Sequence, residues 1–305
     1  MSAPRFEPLD PAREADWAAL LAEPDVAAQF EALDSPGGRA NLFADPFADP
    51  ALRWLAVVDG RPVGFSIGYV IPGVDERWAF VRIGVAGAHR RRGVARALHA
   101  WMVDRLRAAP LFADVRTLAT GLWHPSPPAQ GLAAALGYTH ERWYWRMTHA
   151  DDAPAPAWPD GITLTTYVHD EATLLALHDT ALESFADHHR HIHQGLEESR
   201  RLVAMPGFRP DGTGLAWRDG RCVGFCRCTC ENGRGEIAAL GVIRAARGIG
   251  LGRALLRWGT RWLASQPVNR IQLLVDGEND AALRLYRSEG WQVLQTREML
   301  SRPMP

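Results

Sequence analysis

The stretch Val242-Ile243-Arg244-Ala245-Ala246-Arg247-Gly248-Ile249-Gly250-Leu251-Gly252 decides the fold. An apolar run with strand character ends at Val242. A helical pattern with Leu251, Leu255, Trp258 and Trp262 on one face follows. A glycine-rich turn between strand and helix presents a row of backbone N–H groups at a helix N-terminus, a geometry that binds a pyrophosphate. Glycine suits it because a side chain would block close approach of the backbone to the phosphate.

The same turn occurs earlier as Val85-Ala86-Gly87-Ala88-His89-Arg90-Arg91-Arg92-Gly93-Val94-Ala95. Val85 precedes Val242 by the interval that separates Gly93 from Gly250, Leu98 from Leu255 and Trp101 from Trp258. Upstream, Asp59-Gly60-Arg61-Pro62-Val63-Gly64-Phe65 matches Asp219-Gly220-Arg221-Cys222-Val223-Gly224-Phe225. Downstream, Gly137-Tyr138 matches Gly290-Trp291. Three landmarks in one order indicate a duplicated domain. The Pro- and Ala-rich segment from Thr148 to Pro159 reads as a linker, which gives domains 1–150 and 158–305.

With 305 residues there is room for two domains. A hydrophobic content of 47% with 23% charged residues is the balance of a soluble globular protein. The net charge of −1 gives no reason to expect nucleic acid or membrane partners. No apolar run approaches a membrane span and no secretory signal opens the sequence, so the expected location is the cytoplasm. All 34 basic residues are arginine, so no lysine is available for chemistry.

In the second half, strands are expected at Ile162 to Thr166, Leu215 to Arg218, Cys222 to Thr229, Glu236 to Val242, Ile271 to Val275 and Trp291 to Met299. Helices are expected from Asp170 to Phe185, Gln194 to Val203, after Gly250, and from Asn279 to Glu289. The first half follows the same order. Its region from Glu23 to Pro50 is broken by prolines and glycines and shows no helix comparable to Gln194 to Val203.

These motifs resemble the GNAT superfamily of N-acetyltransferases. Arg247-Gly248-Ile249-Gly250-Leu251-Gly252 fits its Arg/Gln-x-x-Gly-x-Gly/Ala signature, and Arg90 to Ala95 fits it with alanine last. Tandem arrangement of two such domains resembles the mycothiol synthase-like branch. The resemblance implies two α/β folds, each a mixed, mostly antiparallel twisted sheet flanked by helices. It also implies acetyl-CoA as cosubstrate, no metal, and a small-molecule primary amine as acceptor.

Carried over to this chain, the family pattern points to Tyr286 as general acid to the departing thiolate and to Glu236 as general base through a water. Acetyl-CoA is expected against Leu240, Gly241, Val242, the loop from Arg247 through Gly248, Ile249, Gly250, Leu251 and Gly252 to Arg253, and Asn279 with Ala282. A possible second site comprises Ile83, Val85, Arg90, Arg91, Arg92, Gly93, Val94 and Ala95. Counting along the first half puts Ala79 at the place of the acid and Ala133 at that of the tyrosine, so this half is expected to be non-catalytic. Tyr286 also reads as a core aromatic, Glu236 as a solvated strand-end charge, and Asn279 as a helix cap. Two other functional readings stand beside the general amine acetyltransferase. One is acylation of a cysteinyl-glucosaminyl-inositol amine, as in mycothiol synthesis. The other is a non-catalytic CoA-binding sensor. Oligomeric state is not legible.

Two clusters stay open. His188, His189, His191 and His193 read as a solvated turn, as a metal site, or as the roof of the acceptor site, with His189 and His193 as substrate contacts. The evenly spaced Cys222, Cys226, Cys228 and Cys230 read as small residues packing one strand face rather than as a metal site.

Overall fold

The structure is a computed structural model that describes every residue except Met1, Ser2, Val74, Asp75, Asp151 and 191–193, together with the side chain of Leu111. The chain forms two compact units. Unit 1 comprises Met1–Trp143 and Arg297–Pro305, and unit 2 comprises Tyr144–Thr296. Unit 2 is one contiguous segment, whereas unit 1 is discontinuous. Unit 1 takes its last strand from the remote segment 297–303, while unit 2 is closed by its own first residues, 144–149.

Unit 1 contains β1 (Arg5–Pro8), α1 (Glu14–Leu21), α2 (Pro24–Phe30), α3 (Pro36–Ala44), β2 (Trp54–Val58), β3 (Arg61–Pro72), β4 (Arg77–Val85), α4 (Val94–Ala108), β5 (Val115–Trp123) and α5 (Pro127–Ala135). The strand β6 (Thr139–His149) then carries the chain into unit 2. There follow β7 (Thr163–Thr166), α6 (Glu171–Phe185), α7 (Leu196–Val203), β8 (Thr213–Arg218), β9 (Arg221–Glu231), β10 (Arg234–Val242), α8 (Leu251–Ala264), β11 (Arg270–Asp276), α9 (Asp280–Ser288) and β12 (Gln292–Pro303).

Each unit builds one mixed sheet. In unit 1 neighbouring strands run antiparallel except β4 and β5, which are parallel, and residues 297–303 of β12 close the far side of β5. In unit 2 the order is β7-β8-β9-β10-β11, with β10 and β11 parallel, and residues 144–149 of β6 flank β11. Thr148 and His149, expected in a linker, are therefore strand residues paired with Gln272 and Ile271.

The expectation of no second helix in the first half fails. Pro24 and Pro36 are the first residues of α2 and α3, where a missing N–H costs nothing. Ser35 caps α3 through its hydroxyl, which accepts from the Gly38 N–H at 3.0 Å. The prolines that looked like breakers are helix starts. Both Asp-Gly pairs close hairpins: Asp59-Gly60 and Asp219-Gly220 all have positive φ, the geometry of a tight β-turn matched to strand twist.

The cysteine strand needs one correction. A bulge opposite Ala216 and Trp217 flips the alternation between Cys222 and Gly224. Cys222 consequently joins Tyr167 and Phe208 on the α6 face. Cys226 and Cys228 pack on the α8 face, where a Cβ on Gly259 would lie 2.6 Å from the Cys226 sulfur. All four are free thiols and three are buried.

Candidate active site

The parallel pair at the centre of each sheet is a fork. In unit 2, β10 and β11 pair from Arg234 opposite Arg270 to Ile237 opposite Leu273, and no further. Beyond that point one side of β10 is open. The Ile243 N–H donates to the Val223 carbonyl at 3.1 Å, so odd positions there face β9. By alternation, Leu240 and Val242 turn their backbone groups into the fork, while Gly241 belongs to the β9 ladder. A Cβ on Gly241 would come within 2.6 Å of Phe225 and 2.7 Å of Ser184, so packing demands this glycine.

The loop that follows is built to leave N–H groups free. Gly248 and Gly250 adopt φ of 82° and 91°, which side chains resist. A Cβ on either would meet nothing within 4 Å, so the space in front of the loop is open. Gly250 caps α8 without a side-chain acceptor, and the first N–H groups of this 14-residue helix have no intrahelical partner. A pyrophosphate fits this cradle through backbone donors.

The arginines expected at the phosphates are occupied elsewhere. Arg247 donates to the Val242 carbonyl (3.1 Å) and the Ser184 carbonyl (3.0 Å) and pairs with Asp187 (3.2 Å). It is a clamp that ties the loop to β10 and α6. Arg253 pairs with the buried Glu289 at 2.8 Å. Ile249 is exposed, Leu251 is buried in the core, and a Cβ on Gly252 would make only ordinary contacts.

Glu236 lies on the sheet face that carries α6 and α7, opposite to Ile237, which packs toward α8. One of its carboxylate oxygens accepts from Gln272 Nε2 at 2.7 Å. The other amide atom of Gln272, Oε1, is buried and has no partner. Tyr286 is buried between the α8 core and Trp291, and its hydroxyl makes no hydrogen bond among the described residues. Burial raises its pKa above the ordinary 10, and the nearby Cys226 adds to the rise. Asn279 caps α9, accepting from the Ala282 N–H at 3.1 Å and leaving its NH₂ group available.

A cavity of about 290 Å³ lies between α6, α7 and the β9–β10 face. His189 is on its wall with His178, His188, Gln194, Ser199, Phe225, Arg227 and Ala239. His178 Nδ1 and Gln194 Nε2 meet the Ser199 hydroxyl at 2.9 and 3.0 Å. His193, the other expected contact, lies outside the described residues, as does His191. Sequence reading missed Arg227 and Gln272. Each had a signal: a charge within Phe225-Cys226-Arg227-Cys228, and an amide within the apolar Ile271-Gln272-Leu273-Leu274-Val275.

Unit 1 repeats the frame. Its fork opens after Phe80 opposite Ala119. Arg90 donates to the Val85 carbonyl at 3.1 Å, as Arg247 does to Val242, and Gly93 caps α4 with φ of 83° and no side-chain acceptor. By the same alternation Ile83 and Val85 face the fork. Arg91, at the position of Gly248, takes φ of 60°. Val94 is buried at the helix start, with Ala95 beside it and Arg92 exposed in the loop.

The contents of the fork differ. The Gln29 amide donates to the Trp123 carbonyl (2.7 Å) and accepts from its N–H (2.9 Å), bridging α2 to β5. Arg82 stacks over Phe30 at 4.2 Å. Ala133 occupies the place of Tyr286 beside an 80 Å³ cavity also lined by His99 and Tyr138. The residue matching Glu236 is Phe80 rather than Ala79, because β10 carries one extra residue that β4 lacks. Phe80 shares its face with Tyr69 and Trp78, whereas Ala79 packs toward α4 as Ile237 packs toward α8.

The acetyltransferase (GNAT) family model matches residues 17–138 and 174–291, and the chain belongs to that family. A mycothiol acetyltransferase of Thermobispora bispora is 34% identical over 291 residues, which cover 90% of this chain and 92% of that protein. Another from Thermomonospora curvata is 35% identical over 257 residues, 82% of each chain. A solved GCN5-related N-acetyltransferase from Sphaerobacter thermophilus has a TM-score of 0.74 at 25% identity, over 99% of this chain and 96% of that one. A tandem GNAT protein from the clavulanic acid biosynthesis pathway shares the fold, with a TM-score of 0.75 at 20% identity over 99% of both chains. The protein is a tandem-GNAT N-acetyltransferase of the mycothiol synthase-like branch. Among the described residues, no helix is long and apolar enough to cross a membrane.

Proposed function

We propose that unit 2 transfers the acetyl group of acetyl-CoA to a primary amine of a small molecule by direct attack on the thioester. One observation carries this reading. A half-buried acid, an open fork with free backbone donors, an uncapped helix start and a cavity lined by α6 and α7 belong to one unit.

The loop from Arg247 to Gly252 holds the pyrophosphate through backbone N–H groups. The pantetheine arm lies along Leu240 and Val242, with the Asn279 NH₂ as a further donor. The thioester carbonyl meets a β10 N–H in the fork, which stabilises the oxyanion that develops there. Glu236, held by Gln272, takes a proton from the acceptor ammonium through a water, and the neutral amine attacks. The nitrogen of the adduct loses its second proton to solvent, the C–S bond breaks, and sulfur leaves as thiolate.

Tyr286 then acts as a hydrogen-bond donor more than as an acid. A thiol of pKa about 8.5 is a stronger acid than a phenol near 10. Burial pushes Tyr286 higher still. Full proton transfer to the sulfur is therefore uphill, and solvent supplies the proton.

The kinship with mycothiol acetyltransferases favours one acceptor in particular, the cysteinyl-glucosaminyl-inositol amine. Replacing Glu236 by Gln keeps the side-chain volume and removes the base. The expected result is a fall in kcat of about 10²–10⁴-fold with little change in acetyl-CoA KM. Thiol release across an amine panel is the measurement. Unchanged kcat removes Glu236 from the mechanism. Acetyl-CoA binding without turnover on any amine favours the sensor reading.

A further inference from the structure

Gln272 is a buried amide in an otherwise apolar strand. Ile271, Leu273 and Val275 of β11 pack into the α8 core, and Gln272 turns to the other face with only 5% of its surface exposed. Parallel pairing sets it beside Glu236 of β10, and antiparallel pairing sets it beside Thr148 of β6. Thr229 of β9 stands opposite Glu236. Paired residues share a face, so Thr229, Glu236, Gln272 and Thr148 form a polar row across the sheet of unit 2.

The row fixes which way the amide points. An ionised carboxylate only accepts, so the NH₂ group of Gln272 must face Glu236, as the 2.7 Å contact requires. The amide oxygen, Oε1, is left without a partner, because Thr148 donates its hydroxyl hydrogen to the Ile271 carbonyl at 2.9 Å. A buried acceptor with no hydrogen to accept is destabilising, and an apolar residue of the same shape would remove that penalty. The second carboxylate oxygen of Glu236 makes no hydrogen bond among the described residues either.

We infer that Gln272 orients the water through which Glu236 deprotonates the acceptor: the amide oxygen and the second carboxylate oxygen each accept one of its hydrogens. Gln272 is then a positioning residue, and the inference rests on the reading of Glu236 as the base.

The chemistry follows from two acceptors side by side. Neither oxygen offers a hydrogen, so a water held by both must donate twice. Such a water presents only lone pairs outward. It meets the ammonium of the acceptor in the orientation that receives a proton. As that proton passes to the water, the hydrogen on the Glu236 side passes to the carboxylate, and the water is regenerated. The acceptor is left as a neutral amine and Glu236 as a carboxylic acid. The Gln272 NH₂ group meanwhile holds the first carboxylate oxygen in place, so Glu236 always presents the same oxygen to the water.

The test is a double-mutant cycle. Gln272→Met keeps the length of the side chain and removes both polar atoms. Its kcat should fall by about 10–100-fold, the effect of losing a hydrogen bond to a charged group, with acetyl-CoA KM and melting temperature little changed. In a Glu236→Gln background the water has no base to serve. There the same substitution should change kcat by no more than about twofold, since residues that act as a unit are not additive. A residue that only packs the strand would show the same loss in both backgrounds, and that result overturns the proposal. A normal kcat in Gln272→Met beside a low one in Glu236→Gln overturns it as well and leaves the base standing. A normal kcat in Glu236→Gln removes the base, and the proposal with it.

Crystallography of the CoA complex gives a readout that needs no turnover. The wild type should hold a water within about 3 Å of both Gln272 Oε1 and the second Glu236 oxygen, and Gln272→Met should lose it. That pair of results with no acetylation of any amine supports Gln272 as the holder of the water and sinks the transferase reading. No such water in the wild type, or the same water in Gln272→Met, would overturn the proposal.

Discussion

In unit 1 the ladder between β3 and β4 runs unbroken from Gly64 opposite Val85 to Pro72 opposite Arg77. In unit 2 the matching ladder is interrupted, and Ala238 is an extra residue between Ile237 and Ala239. The strands of both forks separate, so the bulge is not what opens them. What it changes is which side chains share a face. With it, Glu236 shares the sheet face of Ala239, which lines the cavity, while Ile237 and Leu240 both pack toward α8. Without it, an acid at one position and a cavity wall three residues on would lie on opposite sides of the sheet. Bulges are common beside active sites because they re-aim side chains in this way.

The comparison separates holding a cosubstrate from acting on it. Both units keep the arginine clamp on the strand, the left-handed glycine and the uncapped helix. Unit 1 has Phe80 and Ala133 where unit 2 has Glu236 and Tyr286, and Trp17, Phe30 and Phe65 stack over its sheet. We propose that unit 1 is catalytically silent. A fragment ending at residue 150 is a poor test, because unit 1 includes Arg297–Pro305. Variants of the whole chain are better.

The largest expected effect concerns the two loops. Gly250→Glu sets a carboxylate in the phosphate cradle and a side chain at φ of 91°. Like-charge contact costs several kcal/mol, so acetyl-CoA affinity at unit 2 should fall by about 10²-fold or more, and turnover at ordinary substrate concentrations should fall with it. Gly93→Glu should leave turnover intact and remove at most a second equivalent of bound CoA. Calorimetric stoichiometry and steady-state rates on both variants decide. If Gly93→Glu abolishes turnover while Gly250→Glu keeps it, the assignment of units is reversed.

Next in size is Tyr286→Phe, set against Ala133, its counterpart in unit 1. Loss of a hydrogen-bond donor to a developing thiolate lowers kcat by about 10–100-fold. Loss of a true general acid lowers it by about 10²–10⁴-fold. The measured size therefore separates the two roles, with acetyl-CoA KM little changed in either. If kcat stays within about twofold, the buried ring is packing alone.

Most of this frame was legible because it depends on local rules. Asp-Gly turns, a glycine at positive φ and a strand-to-helix junction leave marks within a few residues. The elements missed depend on distant partners. Pro24 and Pro36 read as breaks until their place at helix starts is known. The unit 1 counterpart of Glu236 is Phe80 and not Ala79, because a bulge leaves no mark in Gly235-Glu236-Ile237-Ala238-Ala239-Leu240. Arg247 and Arg253 looked like phosphate ligands, and only the carbonyls and Glu289 around them show where they bond. The supply of unit 1's last strand by the remote segment 297–303 is invisible locally, since a strand's pattern does not name its neighbour.

The smallest effect expected distinguishes the two helices after the loops. His99 on α4 lies where α8 has Leu256, and both are buried. His99 meets the Tyr138 hydroxyl at 3.0 Å, and burial lowers its pKa from 6.5 to about 4, with Arg302 adding to the shift. In the unfolded chain the imidazole takes a proton near pH 6.5, while in the fold it resists until about pH 4. Between those values the unfolded state binds more protons, so unit 1 loses stability as pH falls through this window. Above about 6.5 the group contributes nothing to the pH dependence, and below about 4 the loss is complete. Unit 2 has no such group at the matching place. Hydrogen exchange should show α4 amides opening more readily from pH 6.5 to 4.5 than α8 amides, after correction for intrinsic exchange. His99→Gln keeps a partner for Tyr138 and cannot titrate, so it should flatten the pH dependence of α4 alone. The same slope in the variant would assign the acid sensitivity of unit 1 to other groups.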